Sequence, residues 1–128
     1  MERGRNLIQL RPEISSAEVN KTMSEVEQFQ NSTLRPILKF QNELLIAHFS
    51  QFARNIKKDW GSISNEKKEI FIENSLMKNQ GLRNMLIGFT LGLITLEEHK
   101  IYLNNKSEIN RRIIQMAKER IVSNLSIL

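Results

Sequence analysis

The sequence predicts an all-α protein, a compact bundle of five to six helices around one apolar helix at about residues 82–94. Apolar residues recur every three or four positions through most of the chain, the spacing of one helix face, and no stretch alternates as a strand does. Serine and threonine residues stand where helix caps are expected. The stretch from Met85 to Ile94 is the most apolar and contains no charged residue.

The apolar stretch at about residues 82–94 is expected to be buried on every side. One side of this helix would carry Leu82, Leu86, Phe89 and Leu93, and the other would carry Gly81, Asn84, Gly88, Gly92 and Thr95. Gly88 and Gly92 have the spacing that lets a second helix approach closely. Each glycine inside a helix costs about 0.5–1 kcal/mol relative to alanine. We therefore expect both glycines to pack against another helix, and Gly88→Leu to destabilise the fold.

Capping signals divide the rest of the chain into helices. Ser15 with Glu18, and Thr95 with Glu98, have the spacing of a capping box, and Ser64 and Ser107 can each cap a further helix. The predicted helices span about residues 16–30, 33–58, 65–79, 82–94, 96–104 and 108–125. The last of them carries a regular apolar stripe at Ile109, Ile113, Met116, Ala117, Ile121 and Leu125.

Pro36 has two interpretations. Proline is tolerated in the first turn of a helix, so a new helix can begin near Thr33. The alternative is one long helix that is kinked at Pro36. In both cases the helix is expected to run to about Lys58, where Gly61 can close it in the left-handed conformation.

By its length of 128 residues the chain is one domain. Residues 1–14 show no helical period before Pro12 and are expected to form an N-terminal arm, either disordered or laid over the helical domain of residues 15–128. The apolar side chains of Leu7, Ile8 and Leu10 favour an arm that docks, on this chain or on a second subunit.

Composition narrows the location and the chemistry of the protein. The sequence contains no cysteine, which excludes disulfides, thiolate metal sites and thiol nucleophiles. The apolar stretch is shorter than the about 20 residues that span a bilayer, and the first residues do not resemble a secretory signal. We therefore expect a cytoplasmic protein without a membrane span.

The net charge of +5 raises the question of nucleic-acid binding. The charge is spread evenly, because residues 1–60 carry nine Lys/Arg and seven Asp/Glu, and residues 61–128 carry ten and seven. Most of the eight aromatic residues are assigned to the core and not to a base-stacking surface. The pattern is typical of solvated helix surface and does not favour a nucleic-acid partner.

Five polar residues are candidates for a ligand-binding pocket, because helical wheels place them on or beside apolar faces: Gln41, His48, Arg83, Asn84 and Thr90. Two explanations are open. They can form a buried polar network, since buried polar groups need hydrogen-bond partners. They can also bind a small polar ligand.

The motifs of several catalytic classes are missing from the sequence. It contains no glycine-rich phosphate loop and no His-x-x-x-His or Glu-x-x-His metal pair. Two histidines and a single aspartate leave few groups for a metal site or a catalytic triad. We predict no catalytic residue, no metal and no cofactor.

The run from Thr33 to Leu45, the pair Arg83-Asn84 followed by glycines, and the run from Thr95 to Glu98 resemble small uncharacterised all-helical bacterial proteins. The resemblance covers about residues 25–125, and some of those proteins carry a glyoxalase label. The common metal-dependent glyoxalases consist of βαβββ modules with histidine and glutamate ligands. This chain has neither strands nor enough histidines, so no catalytic residue is carried over.

The leading functional hypothesis is a non-enzymatic helical interaction protein that associates with itself, with a dimer favoured. It depends on the docking arm, the long amphipathic helices and the small-residue strip. Another protein partner is compatible with the same features. The alternatives are a weak binder of nucleic acid or of an acidic partner, and an enzyme of unknown reaction with a pocket around His48.

Overall fold

A computed structural model describes residues 2–13 and 22–128 and confirms the all-α fold class. The helices are α1 (Glu2–Leu10), α2 (Glu25–Phe29), α3 (Arg35–Phe40), α4 (Asn42–Ile56), α5 (Asn65–Lys78), α6 (Gln80–Leu91), α7 (Leu96–Asn104) and α8 (Lys106–Ser123). A π-helix at Gln30–Leu34 joins α2 to α3, and short 3-10 turns lie at Trp60–Ser62 and Leu125–Ile127. No strand occurs in these two ranges, and none of their helices combines the length and hydropathy that a membrane crossing requires.

The helix at the centre of the bundle is α8, so the prediction that residues 82–94 occupy the centre is wrong. Helix α8 contacts α3, α4, α5, α6 and α7. Its predicted stripe is buried at Ile109, Ile113, Met116, Ala117 and Ile121. The first half of α8 packs with α2, α3 and α7, and the second half packs with α4, α5 and α6. One amphipathic helix therefore organises both halves of the core.

Helix α6 is buried on one face only. Leu82, Leu86 and Thr90 face the core, whereas Asn84 and Gly88 are exposed on the opposite side. The prediction that α6 is buried on every side is wrong, because a stripe of residues at every fourth position is enough to pack α6 against the core. The helix also ends earlier than expected, at Leu91.

The chain stays helical through Pro36, which favours the alternative of one continuous helix over a new start at Thr33. The backbone N–H of Arg35 bonds to the carbonyl of Gln30, five residues earlier, and the residues that bound this turn have right-handed helical angles. This π-helical turn widens the helix just before Pro36, which has no N–H to donate to a helical hydrogen bond.

The predicted helix from about residue 33 to Lys58 is in fact two helices. It is interrupted at Gln41, where φ is −91° and ψ is 5°, and α4 then ends at Ile56. The predicted left-handed closure at Gly61 is also wrong, because no described residue has a positive φ. The extended conformation of Lys57 ends the helix instead.

The first predicted helix, at about residues 16–30, is confirmed from Glu25 onward and is wrong at residues 22–24. The proposed capping box of Ser15 and Glu18 lies outside the described residues. Residues 22–24 are not helical, and the Ser24 hydroxyl caps α2 by accepting the N–H of Glu27 at 3.1 Å.

Two other predicted caps are confirmed. Ser64 accepts the N–H of Lys67 at 3.2 Å at the start of α5. Thr95 and Glu98 form both hydrogen bonds of a capping box at the start of α7. Ser107 is not a cap, since α8 begins one residue before it.

The N-terminal arm forms helix α1 and lies against its own chain. None of its residues is buried. Arg3 donates to the carbonyls of Ile94 and Gly92 at 2.9 and 3.0 Å, and Arg11 donates to that of Leu93 at 3.2 Å. These bonds hold α1 on the turn between α6 and α7.

Candidate functional site

Two of the five predicted pocket residues, His48 on α4 and Thr90 on α6, are related only through Phe89, which His48 contacts and Thr90 follows in the chain. His48 is exposed, and its ring meets the ring of Phe89 edge-on with centroids 5.5 Å apart. Thr90 is the next residue along α6 but is buried, and its hydroxyl donates to the carbonyl of Leu86 at 2.9 Å. The two polar groups therefore face different environments.

The other three predicted pocket residues have separate surroundings. Arg83 donates to the carbonyl of Leu76 at 2.7 Å, and Asn84 is exposed and accepts from Gln80 at 2.8 Å. Gln41 lies half-buried at the junction of α3 and α4. Within the described ranges no side-chain hydrogen bond joins any two of the five, so they do not form one buried network. A ligand-binding role for them stays a prediction.

Neither of the two glycines expected at a helix contact has another helix of the described chain where its side chain would be. A Cβ atom placed on Gly88 would meet no heavy atom within 4 Å. At Gly92 it would lie 3.2 Å from the carbonyl oxygen of Gly88, in the same helix end. The prediction that another helix of this chain packs closely on Gly88 is wrong, and the face of α6 around Gly88 is open. At Gly92, Arg3 of α1 donates a hydrogen bond to the carbonyl.

The open face of α6 continues onto α4 and forms a surface that we call the uncharged surface. It consists of Leu44, Ala47, His48, Met85 and Gly88, all of them exposed. The ring contact between His48 and Phe89 joins its two halves. Leu44 and Met85, which are 47% and 37% exposed, give this surface its apolar side chains, and none of the five residues is Lys, Arg, Asp or Glu.

The apolar character extends beyond the uncharged surface toward the arm. Phe40 lies four residues before Leu44, and both are 47% exposed. Phe40 also lines a small cleft with Leu7 and Leu10 of α1. Apolar side chains of α1 and Phe40 of α3 therefore share one cleft, and Leu44 of the uncharged surface follows Phe40 four positions later in the chain.

An ion pair joins the N-terminal arm to the rest of the fold. Arg11 donates two hydrogen bonds of 2.6 Å to Glu98, one to each carboxylate oxygen. Thr33 donates to the same carboxylate at 2.7 Å, and the backbone N–H of Thr95 does so at 2.8 Å. Burial raises the pKa of Glu98, but these hydrogen bonds outweigh burial and hold the pKa below its ordinary value.

A third feature is a cleft between α3, α4 and α8, which we call the arginine cleft. Its volume is about 370 Å³. Its lining residues are Arg35, Asn42, Met116, Glu119, Arg120, Ser123 and Asn124. Two guanidinium groups from helices distant in sequence thus border one cleft.

Sequence reasoning missed the arginine cleft and the ion pair of Arg11 with Glu98. Among the residues of these two features, the sequence identified only Glu98, through its capping-box spacing with Thr95. Nothing in the spacing of Arg35 and Arg120 shows that α3 and α8 bring them to the same cleft.

The described residues contain no group of three or more His, Cys, Asp or Glu side chains that could hold a metal ion. Comparison of the chain with protein families, with curated proteins and with solved structures gave no match. The surfaces of this fold are therefore the basis for proposing a function.

Proposed function

We propose that the protein is a non-enzymatic interaction module that associates with a second copy of itself through the uncharged surface. The observation that carries this proposal is Gly88, an exposed glycine within a helix, where an added Cβ atom would meet no heavy atom within 4 Å apart from its own helix backbone. Three arguments support a second copy as the occupant.

The first argument is the conformational cost of Gly88. A glycine inside a helix costs about 0.5–1 kcal/mol relative to alanine. The described chain offers no compensation, because Gly88 has no positive φ and no other helix lies where its side chain would be. Close approach of a helix from a second molecule would use the missing side chain.

The second argument is electrostatic. The chain carries a net charge of +5, so two copies repel each other over most relative orientations. Charged residues make up 26% of the sequence, and none is among the five residues of the uncharged surface, whose nearest charged residue in the chain is the exposed Glu43. Two copies that meet through these five residues bring no like charges together at the centre of the contact.

The third argument is shape. In a dimer with a two-fold axis the same patch serves both partners, so it must be complementary to itself. Gly88 and Ala47 allow two backbones to approach, while Leu44 and Met85 can fill the space beside them. Phe40 extends the apolar contact toward the about 800 Å² per partner that is typical of a stable interface.

The test is the mass of the full chain in solution, measured by sedimentation or light scattering over a range of concentrations. A monomer has a mass of 15.0 kDa. We expect the wild type to approach twice that mass and Gly88→Glu to remain a monomer, because each copy would place a carboxylate at the contact. Ile70→Glu is the matched control, since Ile70 is also a helical apolar residue and is 56% exposed on α5.

Two results would contradict the proposal. One is a wild-type chain that stays at 15.0 kDa at every concentration up to about 1 mM, a range that includes weak specific association. The other is a dimer that Ile70→Glu disrupts as strongly as Gly88→Glu does. A melting curve of each variant separates loss of the dimer from loss of the fold.

A further inference from the structure

The arginine cleft holds two positive charges that face a shared space. Arg35 begins α3 and Arg120 lies in the last turn of α8. The structure places both, with Asn42 and Asn124, along one cleft of about 370 Å³. This volume is within the range of about 300–1,000 Å³ that is usual for small-molecule sites.

No carboxylate among the described residues neutralises either guanidinium group of the cleft. Arg35 donates its Nε–H to Asn31 at 3.0 Å, and Arg120 donates from Nη1 to Asn42 at 3.1 Å. Both acceptors are uncharged amide oxygens. Among the described residues neither arginine forms an ion pair with a carboxylate.

Among the described residues, Glu119 is the one carboxylate that lines the cleft, and it forms no ion pair with Arg35 or Arg120. It is exposed, and its Oε1 accepts a hydrogen bond from Gln115 at 3.2 Å. It therefore lies at the edge of the cleft and gives that edge a negative charge.

The surroundings of Arg120 oppose its charge. Partial burial lowers the pKa of Arg120, and the positive charge of Arg35 lowers it further. An arginine stays protonated in proteins all the same. The cleft therefore keeps two partly desolvated like charges whose repulsion an anion would relieve.

We infer that the arginine cleft binds a small oxyanion, a carboxylate or phosphate group held between Arg35 and Arg120. Guanidinium groups donate paired hydrogen bonds that match the oxygens of both anions. Asn42, Ser123 and Asn124 supply further polar groups along the wall, and Met116 supplies an apolar one. The negative charge of Glu119 at the edge favours an anion of low charge.

The site can be tested by titrating the full ¹⁵N-labelled chain with sodium phosphate or sodium acetate, with sodium chloride as the reference at equal ionic strength. We expect saturable shifts of the amide signals of Asn42, Arg120 and Asn124 with the two oxyanions and not with chloride. Tighter binding of acetate would identify a carboxylate ligand, and tighter binding of phosphate would identify a phosphate ligand.

Substitutions of arginine by glutamine show whether the cleft itself is the site. Arg35→Gln and Arg120→Gln are each expected to weaken binding about tenfold or more, since each removes charged hydrogen bonds. Arg111→Gln is the matched control, because it removes the same charge from the same helix and its side chain is 70% exposed. The amide spectrum of each variant reports whether it is folded.

Several results would overturn the site. Shifts that grow linearly without saturation, or that chloride reproduces, would show only general screening of charge. An equal loss of binding in Arg111→Gln would show that net charge and not the cleft holds the anion. If one cleft variant fails to fold, the other decides, because the proposal requires both arginines.

Discussion

Arg11 and Glu98 form a bidentate ion pair although 87 residues separate them in the sequence. Their side chains are only 11% and 16% exposed, so the pair is shielded from water. The carboxylate also accepts from Thr33 and from the backbone of Thr95. One side chain thus links the arm, the π-helix and the start of α7.

Replacing Glu98 by glutamine should release the arm and lower the stability of the fold. The amide keeps the size of the side chain but loses the charge, and it cannot accept all four of the hydrogen bonds. We expect a loss of about 1–3 kcal/mol in the free energy of unfolding, the range for breaking a partly buried charged hydrogen bond. Urea unfolding measures the loss, and hydrogen exchange of α1 amides reports release of the arm.

Glu97→Gln is the control for this substitution. Glu97 is the preceding residue in the same first turn of α7, but it is exposed. It should change stability by less than about 0.5 kcal/mol, as surface substitutions usually do. Equal losses in the two variants would mean that the charge of the first turn matters and the ion pair does not.

The contribution of Glu98 should depend on pH in one direction. Because the pKa of Glu98 in the folded protein lies below its ordinary value of 4.5, the carboxylate stabilises the fold fully above that value. The contribution is lost as the pH falls through the lower, folded pKa. The difference in unfolding free energy between wild type and Glu98→Gln should be constant from pH 6 to 8 and shrink below about 4.5. A difference that grows toward acid pH would contradict the assignment.

Gly88→Ala should stabilise the isolated chain. The added methyl group meets no atom within 4 Å, and alanine is the better helix former by about 0.5–1 kcal/mol. This expectation reverses the sequence prediction that a larger residue at Gly88 destabilises the fold. Unfolding by urea at protein concentrations that favour the monomer measures the gain.

Gly92→Ala is the comparison for Gly88→Ala. Its methyl group would lie 3.2 Å from the carbonyl oxygen of Gly88, so the helix end would have to shift. Its stability should therefore rise less than that of Gly88→Ala, or fall. A loss of stability in Gly88→Ala would show that an unidentified contact covers this face of the monomer.

The parts of the fold that the sequence predicted correctly depend on local chemistry. The stripe of α8 from Ile109 to Ile121 is buried because its period matches the helix. The capping box of Thr95 and Glu98 forms because both groups lie in the same turn. Such signals span a few residues and do not depend on the remainder of the chain.

The parts that could not be predicted depend on which helices meet. Apolar composition placed residues 82–94 at the centre, yet composition does not say how many neighbours a helix has. The pairing of Arg35 with Arg120 in the arginine cleft follows from the crossing of α3, α4 and α8. The exposure of Gly88 likewise depends on where the other helices lie.

Trp60 occupies the most aromatic part of the core. Its ring contacts those of Phe49 and Phe71 at centroid distances of 6.3 and 5.4 Å, and the amine of Lys68 lies 5.2 Å from its centroid. The indole is 1% exposed. Its Nε1–H has no acceptor among the described residues, and such a buried donor costs about 1–3 kcal/mol.

Trp60→Phe should therefore cost much less stability than Trp60→Ala. Phenylalanine keeps an aromatic ring against Phe49 and Phe71 and removes the unpaired donor, which offsets part of the lost volume. Alanine removes the ring and leaves a cavity, for which about 3–5 kcal/mol is typical. We expect Trp60→Phe to lose less than half as much as Trp60→Ala in urea unfolding followed by far-ultraviolet circular dichroism. Equal losses of unfolding free energy in Trp60→Phe and Trp60→Ala would mean that the indole fills its site so closely that removing the unpaired N–H does not offset the loss of packing.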